Sequence, residues 1–456
     1  MSLREATKAN RIKGVKPPEK GRANQSEGAD VSESWWAVGG EVFRHIRAGR
    51  FEATQSMLIP KGTELRSRAD LKAFWEQREL RGDTALTTDG STGEQINIVD
   101  LFCGCGGLSA GFRRAAHASG VSVRHLLAAD KKADALSVYK RNFSPELAFN
   151  GNLFEVVDFQ YEEGDSAKFL YEPELIEPSF SRWIGQVDVL LAGPPCEGNS
   201  NVNNKTRRDD PRNHLYLMPV AIGVALRARV IVIENVPEVK RDKRGVVQTA
   251  KNLLCSMGYQ VDDINISGVA LGLPQTRKRN FLLAARGGRP PNLKTAFDAL
   301  RVSDSRSISW AIHDLLDIKG TTIFDTHSEL SEDNLRRIKY LFEHDVYDLP
   351  NPQRPVCHHG DHSYPSVYGR LHWEEPAGTI TTGFLSPGRG RFVHPLRPRT
   401  LTPHEAARLQ GFPDGFRFDF DHGGLEPQRT RLATWIGDAV PIPMGYLVGL
   451  AAIATL

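Results

Sequence analysis

Ile96-Asn97-Ile98-Val99-Asp100-Leu101-Phe102-Cys103-Gly104-Cys105-Gly106-Gly107 is the stretch on which the fold turns. A short apolar strand runs into a glycine-rich turn, and residues 108–117 continue as a helix. Glycines there remove side chains where a ligand must approach the backbone. Residues 125–129 read as the next strand and end on Asp130, where a carboxylate meets ribose hydroxyls in open α/β sheets. The glycine spacing is neither GxGxxG nor the phosphate-cradling GxxxxGK[ST]. The turn therefore favours an adenosyl ligand without polyphosphate over a dinucleotide or a nucleoside triphosphate.

Working outward, residues 133–142 read as a helix and 187–192 as a strand that stops at Gly193-Pro194-Pro195-Cys196-Glu197-Gly198-Asn199-Ser200. Residues 230–233 stop at Glu234-Asn235-Val236-Pro237, and a strand over 280–285 follows Gln275-Thr276-Arg277-Lys278-Arg279. Strands alternating with helices predict an α/β fold with a doubly wound, mostly parallel sheet. Such sheets place their sites at the carboxyl ends of the strands. There, Cys196 behind two backbone-fixing prolines is a candidate nucleophile. Glu234 in a partly dry site is a candidate proton donor. Arg277 and Arg279, alternating in extended chain, are expected to point to one face and converge on an anion or a base edge.

The flanks differ in character. Residues 1–34 are polar and basic and read as a flexible tail. Residues 35–95 read as a small helical unit (Trp35, Trp36, Val42, Phe43, Ile46, then Leu71, Phe74, Trp75) and a Thr/Gly/Ser-rich linker. Beyond the core at 96–286, residues 287–395 are irregular and rich in Pro, Gly, His and Arg, which suggests a second, mixed domain. In the closing segment, 396–456, Thr402, Pro403 and Glu405 form a capping-box pattern. An apolar helix over 446–456 is expected to return to the core.

The formal charge of +3 is concentrated in the tail: residues 1–24 hold seven Lys/Arg against Glu5 and Glu19, so the remainder is slightly acidic. Composition excludes a largely disordered chain. No apolar run reaches the roughly 18–20 residues of a membrane span, and the start lacks the apolar core of a secretory signal. Five cysteines do not make a disulfide framework, which points to a reducing cytoplasm. Cys357-His358-His359 with His362 fits no common zinc spacing, so no metal is expected.

Taken together, the ordered motifs resemble the DNA cytosine-5 methyltransferase family. The matching stretches are 100–107, 193–200, 234–236 and 275–279, joined by Arg399-Thr400-Leu401-Thr402-Pro403-His404-Glu405-Ala406-Ala407-Arg408-Leu409-Gln410-Gly411-Phe412-Pro413 and Gly437-Asp438-Ala439-Val440-Pro441. The resemblance spans residues 96–456. It implies a Rossmann-like S-adenosylmethionine-dependent methyltransferase core with a smaller target-recognition domain over 287–395. It also implies methyl transfer from S-adenosylmethionine to carbon 5 of a cytosine flipped out of duplex DNA.

By that resemblance, Cys196 is the nucleophile, Glu234 holds and protonates ring nitrogen 3, Arg279 and Arg277 orient the intermediate, and Asn235 positions the loop. Asp100, Phe102, Gly104, Gly106, Gly107, Asp130, Asn152 and Pro194 would bind the cofactor, with Phe102 on adenine and Asp130 on the ribose. Ser200, Arg207, Arg208, Gln275 and Thr381 would meet DNA. Arg207 and Arg208 stand in a basic run after the nucleophile loop, the residue type that supplies most nonspecific DNA affinity. The chain departs from the family pattern at Glu197 and Asn199 (usually Gln and Phe), at Asp438 (usually Asn) and at Asn152 (usually an acid). The amide oxygen of Asn152 still accepts a hydrogen bond.

The family context implies a bacterial restriction–modification or phage-defence enzyme, monomeric on DNA, beside a cognate restriction or defence component and away from membranes. An RNA cytosine-5 methyltransferase and a catalytically silent DNA-binding regulator are the competing readings. The irregular 287–395 region argues for DNA, since reading duplex sequence needs a dedicated surface. Cys196, Glu234 and Arg279 together argue for catalysis. The other four cysteines are expected to be structural.

Overall fold

A computed structural model describes residues 30–83, 87–89, 93–164, 166–195, 211–359, 366–419 and 428–456. The chain opens as an antiparallel meander: β1 (Val31–Val38), β2 (Glu41–Ala48) and β3 (Phe51–Leu58). After α1 (Arg68–Leu80), β4 (Thr87–Asp89) adds to β3. The helical unit expected over 35–95 is therefore corrected to a four-stranded sheet carrying one helix. The apolar residues at 35–46 suit helical spacing, but burial along β2 and β3 alternates with period two. Gly39 and Gly40, at φ 64° and 82°, make the two-residue turn that a tight hairpin requires. Only Leu71, Phe74 and Trp75 fall on a helix, started by a Ser67–Asp70 capping box. β1 also begins inside the stretch read as tail.

The core follows in order: β5 (Gln95–Leu101), α2 (Gly107–Ala118), β6 (Ser122–Ala129), α3 (Ala133–Phe143), β7 (Leu147–Phe149), β8 (Val157–Asp158), β9 (Glu174–Leu175), α4 (Pro178–Ser181), β10 (Val189–Ala192), α5 (Met218–Ala225), β11 (Val230–Asn235), α6 (Val246–Ser256), β12 (Gln260–Ser267) and β13 (Lys278–Ala285). Seven of these strands make one sheet in the order β12-β13-β11-β10-β5-β6-β7. All neighbours pair in parallel except β13, which is antiparallel to both β11 and β12. The strands at 95–101, 122–129, 189–192, 230–235 and 278–285 were legible in the sequence, because burial on both faces makes a strand, parallel or, like β13, antiparallel, read as an apolar run. β7 is too short to read, and β12, an edge strand with Asp262, Asp263 and Asn265, is too polar. The chain leaves β5 toward β6 on one side and crosses to β10 on the other, so a crevice opens at the carboxyl ends of β5 and β10.

After the sheet come α7 (Leu293–Leu300), α8 (Ile308–Ile312), α9 (Glu332–Glu343), α10 (Pro403–Leu409), α11 (Arg429–Asp438) and α12 (Ile442–Thr455). Although the sequence assigned α7 to the second domain, it packs in the same apolar cluster as β5, β13 and α12. Between α9 and α10 the described residues form turns, short 3-10 segments and isolated bridges around a small cluster of their own, Ile338, Leu341, Leu349 and Val367 among them. α10 carries the expected cap: Thr402 accepts from Glu405 N, and the Glu405 carboxylate accepts from Thr402 N. α12 is apolar on every side because it is buried between α2 and the sheet. A Cβ on Gly111 would stand 2.5 Å from Gly445 Cα, so the two helices touch backbone to backbone through glycine.

Candidate active site

A cleft of about 620 Å³ lies along the carboxyl ends of β5, β6, β10 and β11. At one end is the glycine turn. Gly106 has φ 97°, and a Cβ there would stand 2.3 Å from Phe143 Cε2, so only glycine fits. A Cβ on Gly107 would meet Val440 O at 2.4 Å. The Cβ position of Gly104 is open, which leaves room for a ligand against the turn. Phe102 adopts φ 53°, a left-handed conformation that costs a non-glycine residue roughly 1–2 kcal/mol. Asp130 holds the turn in shape: Gly104 N donates to Oδ2 at 2.8 Å and Lys132 N to Oδ1 at 2.7 Å.

Asp100 lies beneath the turn. Its Oδ2 accepts from Ser109 Oγ at 2.7 Å, and its Oδ1 has no partner among the described residues. Burial pushes its carboxyl up to about 7; the Ser109 hydroxyl opposes the shift and Asp130 adds to it. Burial raises Asp130 as well. The polar chain continues from Ser109 Oγ to the Tyr139 hydroxyl (2.8 Å) and on to His125 Nδ1 (3.0 Å). Sequence reading missed Ser109, Tyr139 and His125, because neither spacing nor residue type singles them out. Asn152 lines the cleft, accepts from Phe154 N at 3.3 Å and donates to Glu155. Asp438 faces the same space and pairs with Lys132 at 3.0 Å. Cys103 and Cys105 are buried, and burial pushes both thiols up, Cys105 to about 12. Cys255 and Cys357 are exposed.

At the other end, Glu234 closes β11 and is 8% exposed. Arg279, on β13, places Nε 2.7 Å from Glu234 Oε1. Burial raises the Glu234 pKa, and the Arg279 and Arg277 guanidinium groups act against that rise. Asn235 donates Nδ2 to Pro194 O at 3.2 Å and accepts from Val236 N, so it clasps the segment leading to residue 196. Cys196, Ser200, Arg207 and Arg208 lie outside the described residues, as do Glu197 and Asn199.

Two expectations are corrected here. Arg277 and Arg279 do not share a face: β13 begins at Lys278, and Arg277 turns inward to donate to Ile380 O (2.7 Å) and Gly437 O (3.1 Å). Gln275, expected at DNA, is fully buried. It donates to Leu409 O (3.0 Å) and accepts from Ile380 N (2.9 Å). Both residues stitch the segment around Ile380 and the C-terminal helices to the sheet. Thr381, next to that stitch, is exposed.

The model of the C-5 cytosine-specific DNA methylase family matches residues 96–453. The chain belongs to this family. It is 43% identical over 377 residues to the Type II methyltransferase M1.BsuMI of Bacillus subtilis (strain 168), covering 82% of this chain and 83% of that one. It is 29% identical over 366 residues to the Type II methylase M.HgiDII of Herpetosiphon aurantiacus, covering 77% and 93%. Among solved structures, a DNA modification methyltransferase encoded within an E. coli prophage superposes with a TM-score of 0.52 at 23% identity, over 78% of this chain and 98% of that one. That likeness speaks for the fold.

As a C-5 cytosine-specific DNA methylase, the chain is a methyltransferase acting on DNA, and the family takes its methyl group from S-adenosylmethionine. The cleft suits that cofactor. It has the volume of a small-molecule site, an open face at Gly104, and an unpartnered Asp100 oxygen beneath the turn.

Proposed function

We propose that this enzyme methylates carbon 5 of a cytosine flipped out of a specific duplex DNA sequence, by way of a covalent adduct with Cys196. The observation that carries this reading is the Glu234–Arg279 pair beside the segment clasped by Asn235. Cytosine carbon 5 is too weak a nucleophile to take a methyl group unaided. Addition of the Cys196 thiolate at carbon 6 makes carbon 5 enamine-like. Glu234, whose burial favours the protonated form, hands a proton to ring nitrogen 3 and makes that addition feasible. Arg279 holds the Glu234 carboxylate in place and stabilises the charge it acquires.

S-adenosylmethionine, when bound, supplies an electrophilic methyl group. Asp130 and Asn152 would hold its adenosyl part, Phe102 its ring, and Asp100, Gly104, Gly106, Gly107 and Pro194 the space around it. Loss of the carbon 5 proton to a base and expulsion of Cys196 complete the reaction. Ser200, Arg207, Arg208 and Thr381 are assigned to DNA contacts, and the region before Thr381 to sequence reading. Gln275 and Arg277 act instead through the segment they stitch. The likeness to Type II enzymes supports a place in a restriction–modification or defence system, as a cytoplasmic monomer on DNA beside a cognate nuclease.

Bisulfite sequencing of DNA from a host expressing the chain tests this directly. Protected cytosines at one sequence are expected, together with transfer of labelled methyl to duplex DNA and not to transfer RNA. Cys196→Ser should abolish transfer, and a rate that survived it would remove the adduct from the mechanism.

A further inference from the structure

A second cavity of about 540 Å³ lies between the N-terminal sheet and the core, and none of its lining residues is shared with the active-site cleft. Small-molecule pockets span roughly 300–1,000 Å³. β1 and α1 wall it on one side, α2 faces them, and α12 closes the back.

Its charges do not balance. Arg44 and Arg114 both address one carboxylate, Glu79: Arg44 Nη2 lies 3.3 Å from Oε1, and Arg114 pairs with Oε2. The neighbouring pairs are matched one to one, Lys72 with Glu33 at 2.6 Å and Arg306 with Glu76 at 3.3 Å. Across these four cations and three carboxylates one positive charge is in excess, and Arg113, which also lines the cavity and donates to the Asn142 carbonyl, adds to it. Arg44 is sealed in, its side chain 2% exposed, whereas Arg114 keeps 24% of its side chain open. Of the two cations on Glu79, Arg114 is therefore the one presented to the cavity, next to the exposed Arg113. Trp35, Leu273 and Tyr446 also line the cavity, and Arg114 lies 5.0 Å over the Tyr446 ring. The wall also holds Trp35 Nε1 and the Tyr446 hydroxyl, both buried and without a partner among the described residues. Leaving such groups unpaired costs about 1–3 kcal/mol each.

We propose that this cavity is a second ligand site, for a small aromatic anion whose charged end meets Arg114 and whose ring lies among Trp35, Leu273 and Tyr446. A cation short of acceptors beside an aromatic surface is the chemistry that selects such a molecule. The site opens onto α2, whose first residue, Gly107, belongs to the cofactor turn, so an occupant bears on the helix that supports the turn.

The test uses 8-anilinonaphthalene-1-sulfonate as the anionic probe and uncharged N-phenyl-1-naphthylamine as its control. Both are titrated by fluorescence into the full chain saturated with S-adenosylhomocysteine, which fills the active-site cleft. One anionic probe per chain is expected. Arg114→Met should weaken it at least roughly tenfold and leave the uncharged control unchanged. Gly415 lines the cavity and its Cβ position is open, so Gly415→Trp should fill that space and weaken both probes. If Arg114→Met fails to fold, the Gly415 variant decides where the probes sit, and raised salt, which should weaken the anionic probe and spare the uncharged one, decides the charge contact. Emission that vanishes with S-adenosylhomocysteine, or that ignores both variants, overturns the proposal.

Discussion

The two ends of the active-site cleft each present a buried acid, and the two are held in opposite ways. Burial raises the pKa of Glu234 while a guanidinium 2.7 Å away pulls it back down. Burial raises Asp100 to about 7 with only the Ser109 and Tyr139 hydroxyls opposing, and a second acid, Asp130, adds to the rise. An acid balanced by a cation can pass a proton on and take it back, which suits the end where the base is transformed. An acid opposed only by neutral hydroxyls has no cation to hold it ionised, so Asp100 gains and loses its proton near neutral pH at the end proposed to hold the cofactor. One cleft thus sets two carboxyls differently through the neighbours it gives each.

If the ends are as separate as this contrast implies, variants at one should leave the other intact. Glu234→Gln should lower kcat by roughly 10²–10⁴-fold, the usual share of general acid catalysis, with S-adenosylhomocysteine affinity unchanged by calorimetry. A matching loss of cofactor affinity would break the contrast. Asp130→Ala removes the acceptor of Gly104 N and Lys132 N. It should raise the cofactor KM by roughly tenfold to a hundredfold, as expected for hydrogen bonds to a charged group, and spare single-turnover rates at saturating cofactor.

Arg277→Met leaves Ile380 O and Gly437 O without their donor. It should cost about 1–3 kcal/mol of stability, read as a lower midpoint in chemical denaturation, and should also weaken DNA binding. The smallest effect is in pH. Because the Glu234 pKa is raised, its proton is present at low pH and lost as pH rises through the folded value, so the single-turnover rate should fall on the alkaline side. Arg279 lowers that pKa, so Arg279→Met should move the alkaline limb upward. At the other end, Asp100 loses its proton as pH rises through about 7. Stability owed to its protonated form is complete below the ordinary carboxyl pKa and fades across that window, and Ser109→Ala should move the end of the window upward.

Much of the site was legible because its residues sit at strand ends, and local sequence announces strand ends. Gly193-Pro194-Pro195, Glu234-Asn235 and the glycine turn all stop apolar runs, and the sheet brings them to one edge. What failed to read has a common cause. Arg277 was read from its alternation with Arg279 as facing a ligand and Gln275 from the family resemblance as facing DNA, and the fold used the same donors to satisfy carbonyls inside. Ser109, Tyr139 and His125 come from three elements, α2, α3 and β6, so no short window of sequence contains the chain they form. The N-terminal unit misread because its apolar residues fit two periods at once, and only the pairing across Gly39-Gly40 chose between them.

The sequence alone determined the strand–turn–helix units and the family, because each depends on near neighbours and on side-chain chemistry. The tertiary structure alone decided which acid faces a cation and which faces a hydroxyl, which arginine reaches the cleft, and that a second cavity stands behind the first. Those outcomes depend on distance and burial between residues far apart in the chain. A carboxyl group takes its pKa from whatever the fold sets beside it.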